Sequence, residues 1–176
     1  MTSIYKRTAF GAGSILLASV VGTAAFADDF VFMNNQGDIT PLCGTEPIRV
    51  ALIDGYGGNA WRTTALAELR DEASKCANIT EVTYADAGGD IAAYNAAING
   101  FVAQGYEMII TFTDFGDAAI PAYRAAHMAG TTMVPYFSDL SGTVGVDYDA
   151  NPYEDAYQAG TIFGRWVGQA IGSGNT

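Results

Sequence analysis

Residues 54–66 read DGYGGNAWRTTAL, with Gly55, Gly57 and Gly58 crowded ahead of Asn59, Trp61 and Arg62. A glycine cluster of this kind can cradle phosphate, but that chemistry needs the G-x-G-x-x-G spacing or a Walker lysine. The third glycine is missing at the required offset, and no Lys follows. Asp114, Asp117 and Asp139 fall on other candidate loops and would repel an anion. What remains suits an uncharged polyol. Asn59 both donates and accepts, Trp61 offers a broad apolar face, Arg62 offers a fork of donors, and Asp114 and Asp139 accept from hydroxyls. The plainer alternative is that Asn59 caps a helix and Trp61 begins its core-facing stripe.

Catalytic chemistry has few carriers. His127 is the single histidine and lies among Ala125, Ala126 and Met128, a setting for a packed or half-exposed side chain rather than a base. The chain has no G-x-S-x-G elbow, and Ser138 has no visible histidine partner. Asp114 and Asp139 could do acid–base work on a glycoside; hydrogen bonding a sugar without reaction is the better reading, so no catalytic residue, no cofactor and no enzyme activity are assigned. One His and two Cys without Cys-x-x-Cys spacing assign no metal site.

These residues must be positioned by an alternating chain. Apolar runs IRVALID (48–54), ITEVTYA (79–85), YEMIITF (106–112), TTMVPYF (131–137) and a shorter TVGVDY (143–148) read as strands covered on both faces. Between them, Trp61, Ala65, Leu69, Ala73 and Cys76 form one helical stripe, and Ile91, Tyr94, Ile98, Phe101 and Val102 form a second, capped by Asp90 and closed near Gly105. A third helix runs from about Asp117, itself a candidate cap, to Gly130, with Pro121 in its first turn. A fourth covers 153–172. The order β-α-β-α-β-α-β-β-α demands a parallel sheet with right-handed crossovers, whose ligands sit outside the carboxyl ends of the strands. That places GYGGNAW at a site.

The chain has 176 residues, 49% hydrophobic, with a formal charge of −11. This suits one packed domain and disfavours nucleic acid or anionic membrane as partners. Residues 1–27 carry Lys6 and Arg7, an uncharged apolar run and Ala25-Phe26-Ala27, the pattern of a secretory signal cleaved after Ala27. An uncleaved anchor is the alternative, although the stretch is diluted by Gly and Ser. Residues 28–47 read as an irregular lead-in. Export places Cys43 and Cys76 where disulfides form, and one bridge is expected, with two buried thiols as the other possibility.

IRVALIDGYGGNAWRTTALAELRDEA resembles the first strand, binding loop and first helix of type 1 periplasmic sugar-binding proteins, the ribose-binding-like substrate-binding components of ABC transporters. VAQGYEMIITFTDFGDAAIPAYRAAHMAGTTMVPYFSD is similar to that family's third and fourth strands with the helix between them, and YQAGTIFGRWVGQAI to the helix that closes its first lobe. The resemblance runs from about Ile48 to the end. It implies an α/β, Rossmann-like parallel sheet flanked by helices, one of two lobes that trap a sugar on closing. It also implies ligand contacts at Asn59, Trp61 and Arg62, at Ser138 or Asp139 after the fourth strand, less directly at Thr113 and Asp114, and near Asp147 or Asn151. A monomer in the periplasm that hands its solute to an inner-membrane ABC permease is the implied role. On this expectation residues 48–176 are the first lobe, and a second lobe of similar size is missing. A sensory receptor of the same fold is the alternative, and a secreted carbohydrate-active enzyme a weaker one. The signal and the lack of an N-terminal helix-turn-helix set aside a cytoplasmic repressor.

Overall fold

Four strands form one wholly parallel sheet: β1 (Ile48–Asp54), β2 (Ile79–Asp86), β3 (Met108–Phe112) and β4 (Thr132–Tyr136), in the order β2-β1-β3-β4. The structure is a computed structural model and describes residues 39–172. These fall in a compact unit that spans Asp38–Thr176. The signal and its cleavage after Ala27, together with most of the 28–47 lead-in, lie outside the described residues.

Each crossover is helical: α1 (Ala60–Ser74), α2 (Ile91–Ala103) and α3 (Ile120–Met128) follow the first three strands, and α4 (Ala156–Ile171) follows the last. The local signals act as expected at several ends. The Asn59 side chain accepts the Arg62 N–H at 3.0 Å, and Asp90 accepts the Ala92 N–H at 2.7 Å, so one orphan donor of each first turn finds a side-chain acceptor. Gly105 takes a φ of 75° just after α2. Pro121 sits in the first turn of α3, where its missing N–H breaks no helical bond.

The core lies on the face covered by α2 and α3. There Ala51, Ile53, Ile109 and Met133 of the sheet meet Tyr94, Ile98 and Phe101 of α2 and Ala122, Tyr123 and Ala126 of α3. Two buried hydroxyls in this core are paired: that of Tyr94 donates to the Phe112 carbonyl at 2.8 Å and lies 2.9 Å from the Tyr123 hydroxyl. Burial pushes both phenols upward in pKa, because a phenolate there would lose water without gaining a cation. The opposite face carries α1 and retains a small apolar cavity of about 170 Å3 between Leu52, Ala65, Leu69, Ile110 and Tyr136. Cys43 and Cys76 are bridged, Cα to Cα 5.3 Å, tying the segment before β1 to the end of α1.

Four expectations are corrected. TVGVDY is not a fifth strand: it keeps one isolated bridge, Val144 to Tyr148. Gly145 turns at a φ of 79°, Asp147 accepts the Thr143 N–H at 2.7 Å, and the Tyr148 hydroxyl donates to the Gly142 carbonyl at 2.9 Å. Local side-chain bonds have taken the groups a ladder would need. Asp117 does not cap its helix; the segment opens with a 3-10 turn, Gly116–Ala119, and Asp117 instead accepts the Ser141 N–H at 2.9 Å. On α1 the stripe holds at Ala65, Leu69, Ala73 and Cys76 but fails at its head, where Trp61 is half exposed and Arg62 is buried in its place. Finally, α4 buries no residue, and Phe163, Trp166 and Ile171 stand exposed, although its apolar periodicity resembles that of a packed helix.

Candidate functional site

The carboxyl ends of all four strands point to one edge of the sheet, and the expected site residues gather there in two unlike groups. The first surrounds Arg62. Its terminal nitrogens contact Asp54 Oδ1 at 2.6 Å and Asp114 Oδ1 at 2.7 Å, and its guanidinium carbon lies 3.2 Å from the centre of the Phe112 ring. Burial works against this charge, but the hydrogen bonds and attraction from Asp114 and Asp54 outweigh it and raise the Arg62 pKa. The Tyr84 hydroxyl donates to Asp54 at 3.0 Å, and its pKa is pushed up, first by burial and then by that carboxylate.

Asp114, together with Asp86, also closes the glycine loop. Asp114 Oδ2 accepts the N–H of Gly55 at 2.7 Å and of Tyr56 at 3.2 Å, while Asp86 accepts those of Gly57 and Gly88, both at 2.9 Å. The Gly88 and Gly57 bonds hold the Asp86 carboxyl below its ordinary pKa, because they favour the charged form. The loop is therefore an anion cradle filled by its own chain. A Cβ on Gly57 would collide with Asp86 and the Tyr84 hydroxyl, so this glycine serves close approach. Gly58, at a φ of 82° with open space around it, serves conformation instead.

The second group lies at the end of β4. A cleft of about 420 Å3 is lined by Phe137, Ser138, Asp139, Tyr153, Glu154, Asp155 and Ala156. Phe137 stacks on Phe112 with centroids 4.5 Å apart and planes at 29°; Trp61 meets the two rings edge-on, at 5.3 Å from Phe112 and 5.6 Å from Phe137. The backbone here is held from several sides. Thr113 Oγ1 donates to the Tyr136 carbonyl at 3.0 Å and accepts the Ser138 N–H at 2.9 Å. The Asn151 amide donates to the carbonyls of Pro135 at 3.0 Å and Ser138 at 3.1 Å and accepts the Leu140 N–H at 3.2 Å. Asp147 is buried and pairs with Arg124 at 2.6 Å.

The expected residues thus divide. Ser138 and Asp139 share a cleft, and Trp61 lies one ring away. Arg62 and Asp114 meet each other inside the protein, Asn59 is an exposed helix cap, and Thr113, Asp147 and Asn151 act as struts. Sequence reasoning missed the stacked pair Phe112 and Phe137 and the cleft-lining Tyr153, Asp54 as a partner of Arg62, and Asp86 as a partner of the loop. The terminal Phe of TTMVPYF was the available signal for Phe137. The Nδ1 of His127 lies 3.1 Å from Asp149 Oδ2 at the surface of α3, away from both groups. Among the described residues no three His, Cys, Asp or Glu side chains converge on a possible metal position.

Comparison with known proteins agrees with this geometry. A periplasmic binding protein domain family matches residues 50–176. Among curated proteins no sequence matches. Similar solved structures include a fructose-binding periplasmic domain of a hybrid two-component system, at TM-score 0.61 and 18% identity over 70% of this chain and 40% of that one. The arabinose-binding component of an ABC transporter from Shewanella sp. ANA-3 gives 0.58 and 20%, over 70% and 40%. A Caulobacter myo-inositol binding protein gives 0.58 and 20%, over 72% and 43%. The chain thus spans about two fifths of the length of these structures, and the likeness lies in the fold. With a parallel sheet, clustered strand ends and a family match across most of its length, the chain belongs to the periplasmic binding protein domain family.

Proposed function

We propose that this protein is an exported substrate-binding component that takes a small sugar or a related polar solute in the periplasm and passes it, as a monomer, to an inner-membrane ABC permease. The observation that carries this reading is the β4-end cleft, where aromatic walls from Phe137 and Tyr153 adjoin Ser138 and the carboxylate of Asp139. Aromatic faces match the C–H faces of a sugar ring, and a carboxylate accepts its hydroxyls. No bond need be made or broken. Occupancy matters because the solute binds one conformation better than another. Arg62 and Asp114 serve this function from behind, Asp114 by fixing the glycine loop and Arg62 by packing on Phe112, on which the cleft residue Phe137 stacks. Exposed Asn59 is available to a solute that reaches the β1 loop.

A thermal-shift screen of the full-length protein against monosaccharides, with Trp61→Ala and Asp139→Ala beside the parent, tests the reading. The best ligand is expected to raise the parent's midpoint and to raise those of the variants less. Equal stabilisation of all three proteins would remove Trp61 and Asp139 from the site. A sensory role is the second reading, favoured by the likeness to the periplasmic domain of a two-component system. Solute uptake by cells lacking the gene separates the two: loss of uptake supports transport, and intact uptake with a lost transcriptional response supports sensing.

A further inference from the structure

Phe137 is the one non-glycine residue with positive φ among the described residues, at 94°. A bulky side chain disfavours that backbone, and it persists only where the surroundings over-determine it. Here they do. The Phe137 N–H donates to the Pro152 carbonyl at 2.9 Å and its carbonyl accepts the Glu154 N–H at 2.9 Å. On either side, the Tyr136 carbonyl accepts from Thr113 and the Ser138 N–H donates to Thr113 Oγ1 at 2.9 Å. Four neighbouring bonds hold a conformation that glycine would adopt freely, yet the position carries a phenyl ring.

That ring is no core filler, since 38% of the residue remains exposed. It lines the β4-end cleft beside Ser138 and Asp139. Its support is layered: Phe137 stacks on Phe112 at 4.5 Å, and the Arg62 guanidinium lies 3.2 Å from the centre of Phe112. Two groups so close to one ring must occupy its opposite faces. The buried Asp54–Arg62–Asp114 set therefore backs a stack that ends at the cleft, with Trp61 edge-on against both rings.

We propose that Phe137 is a recognition residue: its ring is the platform for the C–H face of a cyclic solute, and the strained backbone is what aims it into the cleft. This inference rests on the sugar-binding reading and adds a preference to it. A closed ring with one C–H-rich face binds better than the acyclic alditol of similar hydroxyl count, which has no flat face to stack.

The test is calorimetric titration of the full-length protein with a panel of monosaccharides and their alditols, comparing the parent with Phe137→Leu, Phe137→Tyr and Phe137→Gly. Phe137→Leu keeps apolar bulk without a ring and is expected to weaken the best sugar about tenfold, whereas Phe137→Tyr stays within about threefold of the parent. Phe137→Gly loses affinity similarly while its thermal midpoint holds or rises, because the backbone strain is released. Parent-like affinity in Phe137→Leu, or alditols bound as tightly as sugars, overturns the inference alone. A parent that binds no member of the panel overturns the sugar reading and this inference with it.

Discussion

Two loops leave the same edge of the sheet, and they spend their polar groups in opposite ways. After β1, the N–H groups of Gly55, Tyr56 and Gly57 are all taken by Asp114 and Asp86, and Arg62 is enclosed between Asp54 and Asp114. After β4, Asp139 and the Phe137 ring are exposed beside a cleft of about 420 Å3. The first loop is chemically conspicuous in sequence and saturated in space. The second is plain in sequence and open. Saturation makes a rigid back wall, and openness leaves partners for a solute; residue types alone do not separate the two cases.

The sharpest way to break this contrast is at Asp114. Removing it leaves a buried guanidinium with half its partners and two loop N–H groups with none, so Asp114→Ala is expected to cost about 3–5 kcal/mol of unfolding free energy in urea titration. A loss below about 1 kcal/mol would mean that water enters and the loop is not saturated. Gly57→Ala comes next. Its added methyl would collide with Asp86 and the Tyr84 hydroxyl, and the expected cost is about 1–3 kcal/mol in the same assay.

Asp139→Ala belongs to the other loop and should behave inversely, with stability within about 0.5 kcal/mol of the parent. Its affinity for the best monosaccharide should drop about tenfold, as loss of a hydrogen bond to a charged group implies. If Asp139→Ala destabilises the protein as Asp114→Ala does, the two loops are alike after all. The smallest effect is in acid. Asp86 is held below its ordinary value by the Gly88 and Gly57 N–H groups, so its stabilisation is complete above the unfolded carboxyl value of about 3.9 and fades as pH falls through the lower folded value. The urea midpoints of the parent and Asp86→Asn should differ at pH 7 and converge toward pH 3; a constant gap would detach Asp86 from the loop.

Periodicity made the sheet legible. Apolar runs at 48–54, 79–85, 106–112 and 131–137 all became strands; the record is most continuous in β1, whose last five residues are buried, whereas the edge strand β2 leaves Thr80 and Glu81 exposed. TVGVDY misled because its groups found closer partners in Asp147 and Gly142 than any ladder offered. The candidate site was half legible. Asp139 and Trp61 lie where strand-end reasoning put them, whereas Arg62 and Asp114 look identical in sequence to solute-facing residues. Their pairing spans 52 positions along the chain, a separation that no local pattern records.

By itself the sequence determined the alternation of strand and helix, the sheet edge at which the candidate residues gather, the cap at Asp90 and the two cysteines able to join. Those features depend on neighbours within a few residues or on period. Which carboxylates would be used up by the chain, and which left open at the surface, was decided only by tertiary structure. Hydrogen-bond capacity is finite, and its allocation depends on distances between β1, β2, β3 and β4 that exist only once the sheet is assembled.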